Sequence, residues 1–467
     1  MKNKYKNLTQ NTILFAISTF GAKIVVFFLL PMYTSVLSTE EYGVADLLTT
    51  TAAVVLPILS LNIQDAVLRF SLDKQFCSKQ VIYTAMTLIF ASCIPLALVL
   101  FGINYFKVIN IESQYLVFIF IIYLANALYN SVSMYVRAID KVYVFTIGGL
   151  LNTVFSCALN ILFLLILKWG LLGYLCAYVG GAIIAVFYMY FASGLFKLSN
   201  IHGDYKILKK MLIYSSPLIF NSLAWWINNA SDRYILTYFC GAGLNGIYSI
   251  AYKIPTILST IQSVFYNAWS VSAITEFDKN DEDGFIGNVY TLYIALSIFL
   301  CSVIISMNIP LAKILYAKKF FSAWKYVPIL LVGTLFNGLA LFEGCLFTAV
   351  KQTRIISKTT ILGAVLNIGF NILLIPNWGA YGAAIATLIG YVTIWLVRLI
   401  ALKKIIKMKM DWKVLIIALI FLFIQCGLSE LTNAFLLQVI IMLVIVIVIR
   451  KQLILVGKAM IKKCWRR

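Results

Sequence analysis

Stretches of about 20 apolar residues, the length that crosses a hydrocarbon core of about 30 Å, recur along the whole chain. The first six run over 11–37, 44–66, 81–103, 114–136, 142–167 and 171–195. A polar segment, 197–210, interrupts the pattern. Six more follow at 212–239, 247–271, 286–309, 326–349, 359–376 and 380–402, and after a basic stretch at 403–413 come two last ones, 414–430 and 433–449. These runs are unbroken and do not alternate every second residue. In lipid the backbone must satisfy its own hydrogen bonds, which leaves helices for such runs. The pattern predicts an all-α polytopic membrane protein of about fourteen transmembrane helices, with twelve as the alternative if the last pair does not span.

The chain also repeats itself. Asn160-Ile-Leu followed by Trp169-Gly170-Leu171-Leu172-Gly173 returns as Asn371-Ile-Leu followed by Trp378-Gly379-Ala380-Tyr381-Gly382, an offset of 209 to 211 residues. Glu41-Tyr42-Gly43, opening the second span, corresponds loosely to Asn245-Gly246, opening the eighth. An offset of six spans, an even number, gives both copies the same orientation, as in parallel repeats related by an axis along the membrane normal. The expected organisation is an N-terminal six-helix lobe over 1–204, a C-terminal six-helix lobe over 205–410, and an extra helix pair with a basic tail over 411–467.

Composition agrees with a membrane protein: 62% of the 467 residues are hydrophobic and 12% charged, against about 25% charged in soluble domains. The net charge of +21 invites a nucleic-acid reading, but its distribution opposes one. With the N-terminus placed in the cytoplasm, the cytoplasmic segments hold 28 of the 38 Lys+Arg, the external loops 6 and the spans 4. That is the positive-inside bias, and attraction to anionic lipid heads accounts for it without nucleic acid. Lys2, Lys4 and Lys6 ahead of a first apolar run of this length read as a retained first helix rather than a signal peptide. The nine cysteines are scattered without a C-x-x-C pair, and His202 is the one histidine. No metal site, phosphate-binding loop or hydrolase motif stands out, so no enzyme, cofactor or metal is expected.

Ionisable residues inside the spans narrow the function. Each costs roughly 2.5–3.5 kcal/mol to insert at the helix centre, and such residues are tolerated where they pair or line a watery cavity. Lys23 lies near the middle of the first span. Asp232 and Lys253 sit 11 residues before and 10 after Gly243, which predicts similar depth on neighbouring helices and a mutual pair. Arg233 points away from Asp232. Polar faces accompany these charges, with steps of three or four residues keeping one helical side. In the eighth span the face includes Lys253, Thr256, Thr260 and Asn267; in the second it includes Asp46, Thr50 and Gln64; in the seventh it includes Trp225, Asn229 and Asp232. Pro57 and Pro255 are expected to kink their helices, and Arg398 is expected to snorkel to the cytoplasm. The acidic loop 276–283 reads as a solvated connector. The candidate cavity residues are therefore Lys23, Asp46, Trp225, Asn229, Asp232, Arg233, Lys253, Thr256 and Asn267. Glu343 and Asp232 are the candidates for coupling to H+ or Na+.

The segments L-S-T-E-E-Y-G-V-A-D-L-L (37–48), S-S-P-L-I-F-N-S-L-A-W-W-I-N-N-A-S-D-R-Y-I-L (215–236) and G-I-Y-S-I-A-Y-K-I-P (246–255) resemble bacterial polysaccharide biosynthesis flippases. These are the Wzx-type O-antigen exporters of the multidrug/oligosaccharidyl-lipid/polysaccharide superfamily. The resemblance covers nearly the whole chain and implies two MATE-like six-helix lobes around a central cavity. It further implies an undecaprenyl-pyrophosphate-linked oligosaccharide as cargo, alternating access, residence in the bacterial inner membrane with both termini cytoplasmic, and polymerase and chain-length machinery as partners. The cationic cavities of that family suit Lys23, Arg233 and Lys253 against a pyrophosphate. Asp46, Asp232 and Glu343 depart from a purely cationic passage. Two other readings stay open: a cation-coupled multidrug extruder on the same scaffold, which predicts a carboxylate-dominated cavity, and a non-transporting scaffold for glycan assembly, which needs no deep charge.

Overall fold

The computed structural model describes residues 25, 27–73, 75–107, 112–197, 203–408, 410–430, 435–452 and 454. The expectations for Lys23 and for the basic segments 1–10 and 455–467 fall outside this set. Every described element is helical, and the chain divides into two compact units between Ile227 and Asn228.

The first unit begins with α1 (Phe27–Val36) and α2 (Thr39–Leu59). The sequence S-T-E-E starts α2 by a capping box: Ser38 Oγ accepts from the Glu41 N–H at 3.1 Å and Glu41 Oε2 accepts from the Ser38 N–H at 2.8 Å. The span expected at 44–66 is broken. Pro57 weakens the end of α2, Leu61 and Asn62 both take positive φ, and α3 (Ile63–Ser71) restarts the helix. α4 (Ser78–Tyr105), α5 (Ser113–Ala138), α6 (Val142–Asn160) and α7 (Gly170–Ser193) follow their predicted runs closely. α6 continues into a π-helical turn over Ile161–Ile166. α8 (Tyr205–Ser215) is a shorter helix that lays Ile207 and Met211 onto α3 and α4. Pro217 then separates α8 from α9 (Leu218–Cys240), so the run at 212–239 is two helices rather than one. The core of this unit gathers Ile63 and Val67 of α3, Ile82 and Ile89 of α4, and Tyr123 and Val136 of α5.

The second unit takes the rest of α9 and then α10 (Ala242–Ala251) and α11 (Pro255–Thr275). A turn at Tyr252-Lys253 parts them, and Pro255 opens α11 at a position where its missing N–H is harmless. The eighth span is therefore broken near its proline, as the second is. α12 (Phe285–Ser306) is followed by the short α13 (Asn308–Leu315), then α14 (Val327–Ala349) and the long α15 (Thr353–Leu402). α11, α12 and α14 meet through an aromatic stack, with Trp269 and Phe342 at 4.3 Å and Tyr290 and Phe342 at 4.5 Å between ring centroids. The acidic connector before α12 does more than face solvent. Asp281 is buried and its carboxylate accepts from the Ile286 and Gly287 N–H groups, both at 2.9 Å, satisfying orphan donors at the start of α12. Asp278, by contrast, is exposed, and the N–H groups of Glu282 and Asn280 hold its carboxyl below the usual range. α16 (Trp412–Leu428) and α17 (Phe435–Val448) pack on α12. Gln425 Nε2 donates to Ser306 Oγ at 3.0 Å and to the Gln438 carbonyl at 3.3 Å, while Ser302 Oγ donates to Gln425 Oε1 at 2.7 Å.

α15 is two helices joined across a kink at Gly379 (φ 53°, ψ −130°). Its counterpart in the repeated W-G word, Gly170, has φ 55°. Both occurrences of the Trp-Gly word thus carry a glycine with positive φ. Eight helices among the described residues are long and apolar enough to cross a membrane, counting α15 once and α6 with its π turn.

Three substitutions test these readings of the fold. A Cβ on Gly379 would stand 3.2 Å from Leu244 Cδ2 in a left-handed backbone, so Gly379→Ala should destabilise by about 1–2 kcal/mol. Gly369→Ala, where a Cβ meets open space, should be neutral or stabilising by up to about 1 kcal/mol; thermal unfolding in detergent compares the two. Asp281→Ala should lower stability by about 1 kcal/mol through the lost cap, read in the same melt.

Candidate functional site

Four segments of the second unit each contribute polar residues four apart, and the helix repeat turns every pair onto one face. α9 brings Asn228 and Asp232, α10 and the turn after it bring Tyr248 and Tyr252, and the two halves of α15 bring Asn367 with Asn371 and Thr387 with Tyr391. They converge on the Asp232 carboxylate, which is 2% exposed. Its Oδ2 accepts from Tyr248 Oη at 2.8 Å, Tyr252 Oη at 3.1 Å and Thr387 Oγ1 at 3.4 Å, and its Oδ1 accepts from the Arg233 N–H at 2.9 Å. Hydroxyls and one backbone donor satisfy Asp232, in place of the expected pairing with Lys253. The break between α10 and α11 explains the difference, because it puts Lys253 in the turn while Tyr248 on α10 and Tyr252 at the turn's start both reach the Asp232 carboxylate.

Polar contacts extend outward from the carboxylate. Asn367 Nδ2 donates to Thr387 Oγ1 at 3.4 Å, while Asn367 Oδ1 accepts from Ser231 Oγ at 3.2 Å and from Asn371 Nδ2 at 3.0 Å. Asn371 Oδ1 is buried and accepts no hydrogen bond among the described residues. Tyr391 Oη donates to Asn229 Oδ1 at 3.2 Å. The Arg233 guanidinium lies 5.5 Å from the centroid of the Tyr252 ring, a cation–π geometry that supports a positive charge beside an aromatic face. The cluster therefore holds a carboxylate, a guanidinium and a line of amide and hydroxyl groups. It can exchange a proton, take a monovalent cation on oxygen ligands, or meet an anionic group through Arg233.

A second buried charge lies further along the same helix. Thr387, Tyr391, Trp395 and Arg398 follow one another on α15 at steps of four, four and three residues, a stripe about 16 Å long at 1.5 Å per residue. Arg398 is 4% exposed and does not snorkel. It donates to the Ala340 carbonyl at 2.6 Å, the Ile356 carbonyl at 3.3 Å, and the Thr359 and Thr360 hydroxyls at 2.9 and 3.0 Å. A guanidinium with this many internal acceptors has no reason to reach for water. Glu343, fully buried, accepts from Tyr290 Oη at 2.7 Å on Oε1, and Trp395 Nε1 donates to the same Tyr290 oxygen at 2.9 Å. Glu343 Oε2 accepts no hydrogen bond among the described residues.

Among the sequence candidates, Asn229, Asp232 and Arg233 meet in this cluster. Lys253 is half-buried in the α10–α11 turn, Thr256 is exposed with its hydroxyl donating to the Lys253 carbonyl at 2.6 Å, and Asn267 is exposed on α11. Asp46 is half-buried on α2 and Trp225 is 39% exposed on α9, both in the first unit. Sequence reasoning missed Tyr248, Tyr252, Asn367, Thr387 and Tyr391, and took Asn371 only as a mark of duplication. The pairing of polar residues at i and i+4 in otherwise apolar spans was the available signal. Among the described residues no group of three or more His, Cys, Asp and Glu side chains could hold a metal ion.

Comparison with known proteins places this architecture. The fold is similar to that of a lipid II flippase MurJ in an inward closed conformation, with a TM-score of 0.64 at 15% identity, covering 94% of this chain and all of that one. It is also similar to an inward-facing multidrug resistance MATE family transporter of the MOP superfamily, with a TM-score of 0.63 at 14% identity over 83% of this chain and 99% of that one. In sequence, the chain is 27% identical over 212 residues to an uncharacterized membrane protein of Methanocaldococcus jannaschii, 43% of this chain and 41% of the relative. Two Haloferax volcanii proteins are also similar. The probable low-salt glycan biosynthesis flippase Agl15 is 23% identical over 43% of each chain, and the probable flippase AglR is 24% identical over 48% of this chain and 50% of its own length. The chain thus matches half or less of the length of these curated relatives. A family profile described as polysaccharide biosynthesis protein matches residues 8–270, more than half of the sequence. The chain belongs to the polysaccharide biosynthesis protein family.

Proposed function

We propose that this chain is a flippase that carries an oligosaccharide linked to undecaprenyl pyrophosphate across the cell membrane for surface polysaccharide assembly. The family match supports the glycan class, and the names of the Haloferax relatives point to the same activity. Those relatives are archaeal, so residence in a bacterial inner membrane with cytoplasmic termini belongs to the proposal, as do fourteen spans in two parallel six-helix lobes with an added pair. Polymerase and chain-length proteins are the proposed partners. The observation that carries the reading is the Asp232–Arg233 cluster, a buried carboxylate beside a cation. A pyrophosphate in a low-dielectric passage needs basic partners, and Arg233, Lys253 and Lys23 are the proposed ones, with Asp46, Trp225, Asn229, Thr256 and Asn267 lining the route.

Transport against a gradient also needs an ion. Asp232 is the proposed coupling position, because the oxygen atoms gathered around it suit either H+ or Na+; Glu343 is the second candidate. Conformations that alternate exposure of the cargo site would be biased by occupancy of Asp232, since Tyr248, Tyr252 and Thr387 join three different segments to it.

Two experiments test this. In cells that depend on this chain for surface glycan, Lys253→Ala and Arg233→Ala should each cut surface polymer at least about tenfold, the effect of losing one charge-assisted contact of about 1.4 kcal/mol or more. Wild-type polymer with both variants, at equal membrane abundance, removes these residues from the pathway, and drug resistance on overexpression would favour the extruder reading. In vesicles, Asp232→Asn should abolish the dependence of transport on an imposed H+ or Na+ gradient while cargo binding persists. Unchanged gradient dependence assigns coupling elsewhere.

A further inference from the structure

The first unit carries an apolar groove unrelated to the polar cluster. α4 and α7 both pack on α5, and between them lies a cavity of about 590 Å3. Its floor is Ala125 and Leu128 of α5, and its rim is Phe90 of α4 and Phe187 of α7, both more than half exposed. This volume falls in the range of small-ligand sites, about 300–1,000 Å3. A small residue, Ala125, keeps the floor low between bulky walls.

The groove has a direction. On α4 it runs from Tyr83 to Phe90, about 10 Å at 1.5 Å per residue, starting only five residues into the helix. It therefore occupies part of one leaflet of a core about 30 Å thick. Its shallow end is polar and closed. Tyr83 Oη donates to the Leu195 carbonyl at 3.3 Å, the Asp204 N–H donates to Thr84 Oγ1 at 3.1 Å, and a Cβ on Gly203 would lie 3.1 Å from Thr87 Oγ1. The segment that seals this end leads directly into α8. There Lys206, Lys209 and Lys210 are exposed while Ile207 and Met211 are buried. Asp204 is already engaged as the helix cap, its Oδ1 accepting from the Lys206 N–H at 2.7 Å, and Lys210 stands 5.2 Å from the centroid of the Phe76 ring.

We propose that this groove holds one acyl chain of an anionic phospholipid, with the lipid phosphate met by Lys206 and Lys209 at the start of α8. The apolar walls fit the chain, the groove's depth fits the leaflet whose headgroups lie at that end, and the lysines complement the phosphate. The site is independent of the cargo and of the Asp232 cluster.

Reconstitution in vesicles of equal phosphatidylcholine and phosphatidylglycerol, followed by mild detergent extraction and native mass spectrometry, tests the assignment. Wild type should retain one phosphatidylglycerol in about fivefold excess over phosphatidylcholine, the preference that about one lysine near an anionic surface supports. Thr87→Trp, at an exposed position on the groove's edge, should lose the bound lipid. The double variant Lys206→Gln/Lys209→Gln, on an exposed helix face, should keep a lipid but lose the preference for phosphatidylglycerol. Unfolding temperatures of both variants are measured alongside, and the double variant reads headgroup selectivity even if Thr87→Trp proves unstable. Equal retention of the two lipids by wild type, no retained lipid, a polyprenyl carrier in its place, or undiminished phosphatidylglycerol preference in the double variant overturns the proposal.

Discussion

Burial of ionisable groups away from water is the constraint around which the second unit is built. A carboxylate in a membrane-embedded helix is expensive unless donors surround it, and Asp232 draws donors from α9, α10, the turn before α11, and α15. Each of those segments is thereby tied to the same atom pair. Arg398, on the second half of α15, presents the opposite sign with the same solution, drawing carbonyl and hydroxyl acceptors from α14 and the first half of α15. The stripe from Thr387 to Arg398 makes one helix the shared wall of both arrangements. What varies is completeness: Arg398 donates four hydrogen bonds, whereas Glu343 Oε2 and Asn371 Oδ1 accept none among the described residues.

Much of the fold was legible because hydrocarbon imposes one rule on every span. Runs of apolar residues located α4, α5, α7, α12 and α14 to within three residues at each end, and the two Trp-Gly words each carry a positive-φ glycine, Gly170 and Gly379. The misreadings fall where the backbone leaves a straight helix. Pro217 splits α8 from α9, and the Tyr252-Lys253 turn redirects a lysine that linear depth counting had paired with Asp232. Hydropathy averages over such breaks, so it locates a span without fixing which way its polar residues point.

The site was legible in part for the same reason. Charged residues announce themselves in an apolar sequence, so Asp232, Arg233 and Glu343 were found. Their partners did not, because tyrosine, threonine and asparagine are ordinary members of transmembrane helices. Only the coincidence of four i, i+4 pairs on segments far apart in sequence separates them from background. Arg398 was misjudged because snorkelling was assumed from position along the helix, whereas the Ala340, Thr359 and Thr360 oxygen atoms that hold it come from elsewhere in the chain.

The seam between the last two helices and α12 deserves a mechanical reading. Gln425 bridges Ser302, Ser306 and the backbone of α17, so the terminal pair is stitched to its host by amide and hydroxyl groups that hydrocarbon cannot replace. Peeling that pair away would strand several polar atoms at once. A label or fluorophore fixed on α17 would consequently follow the trajectory of α12, and the appended helices act as ballast on that unit instead of a loose trailing arm.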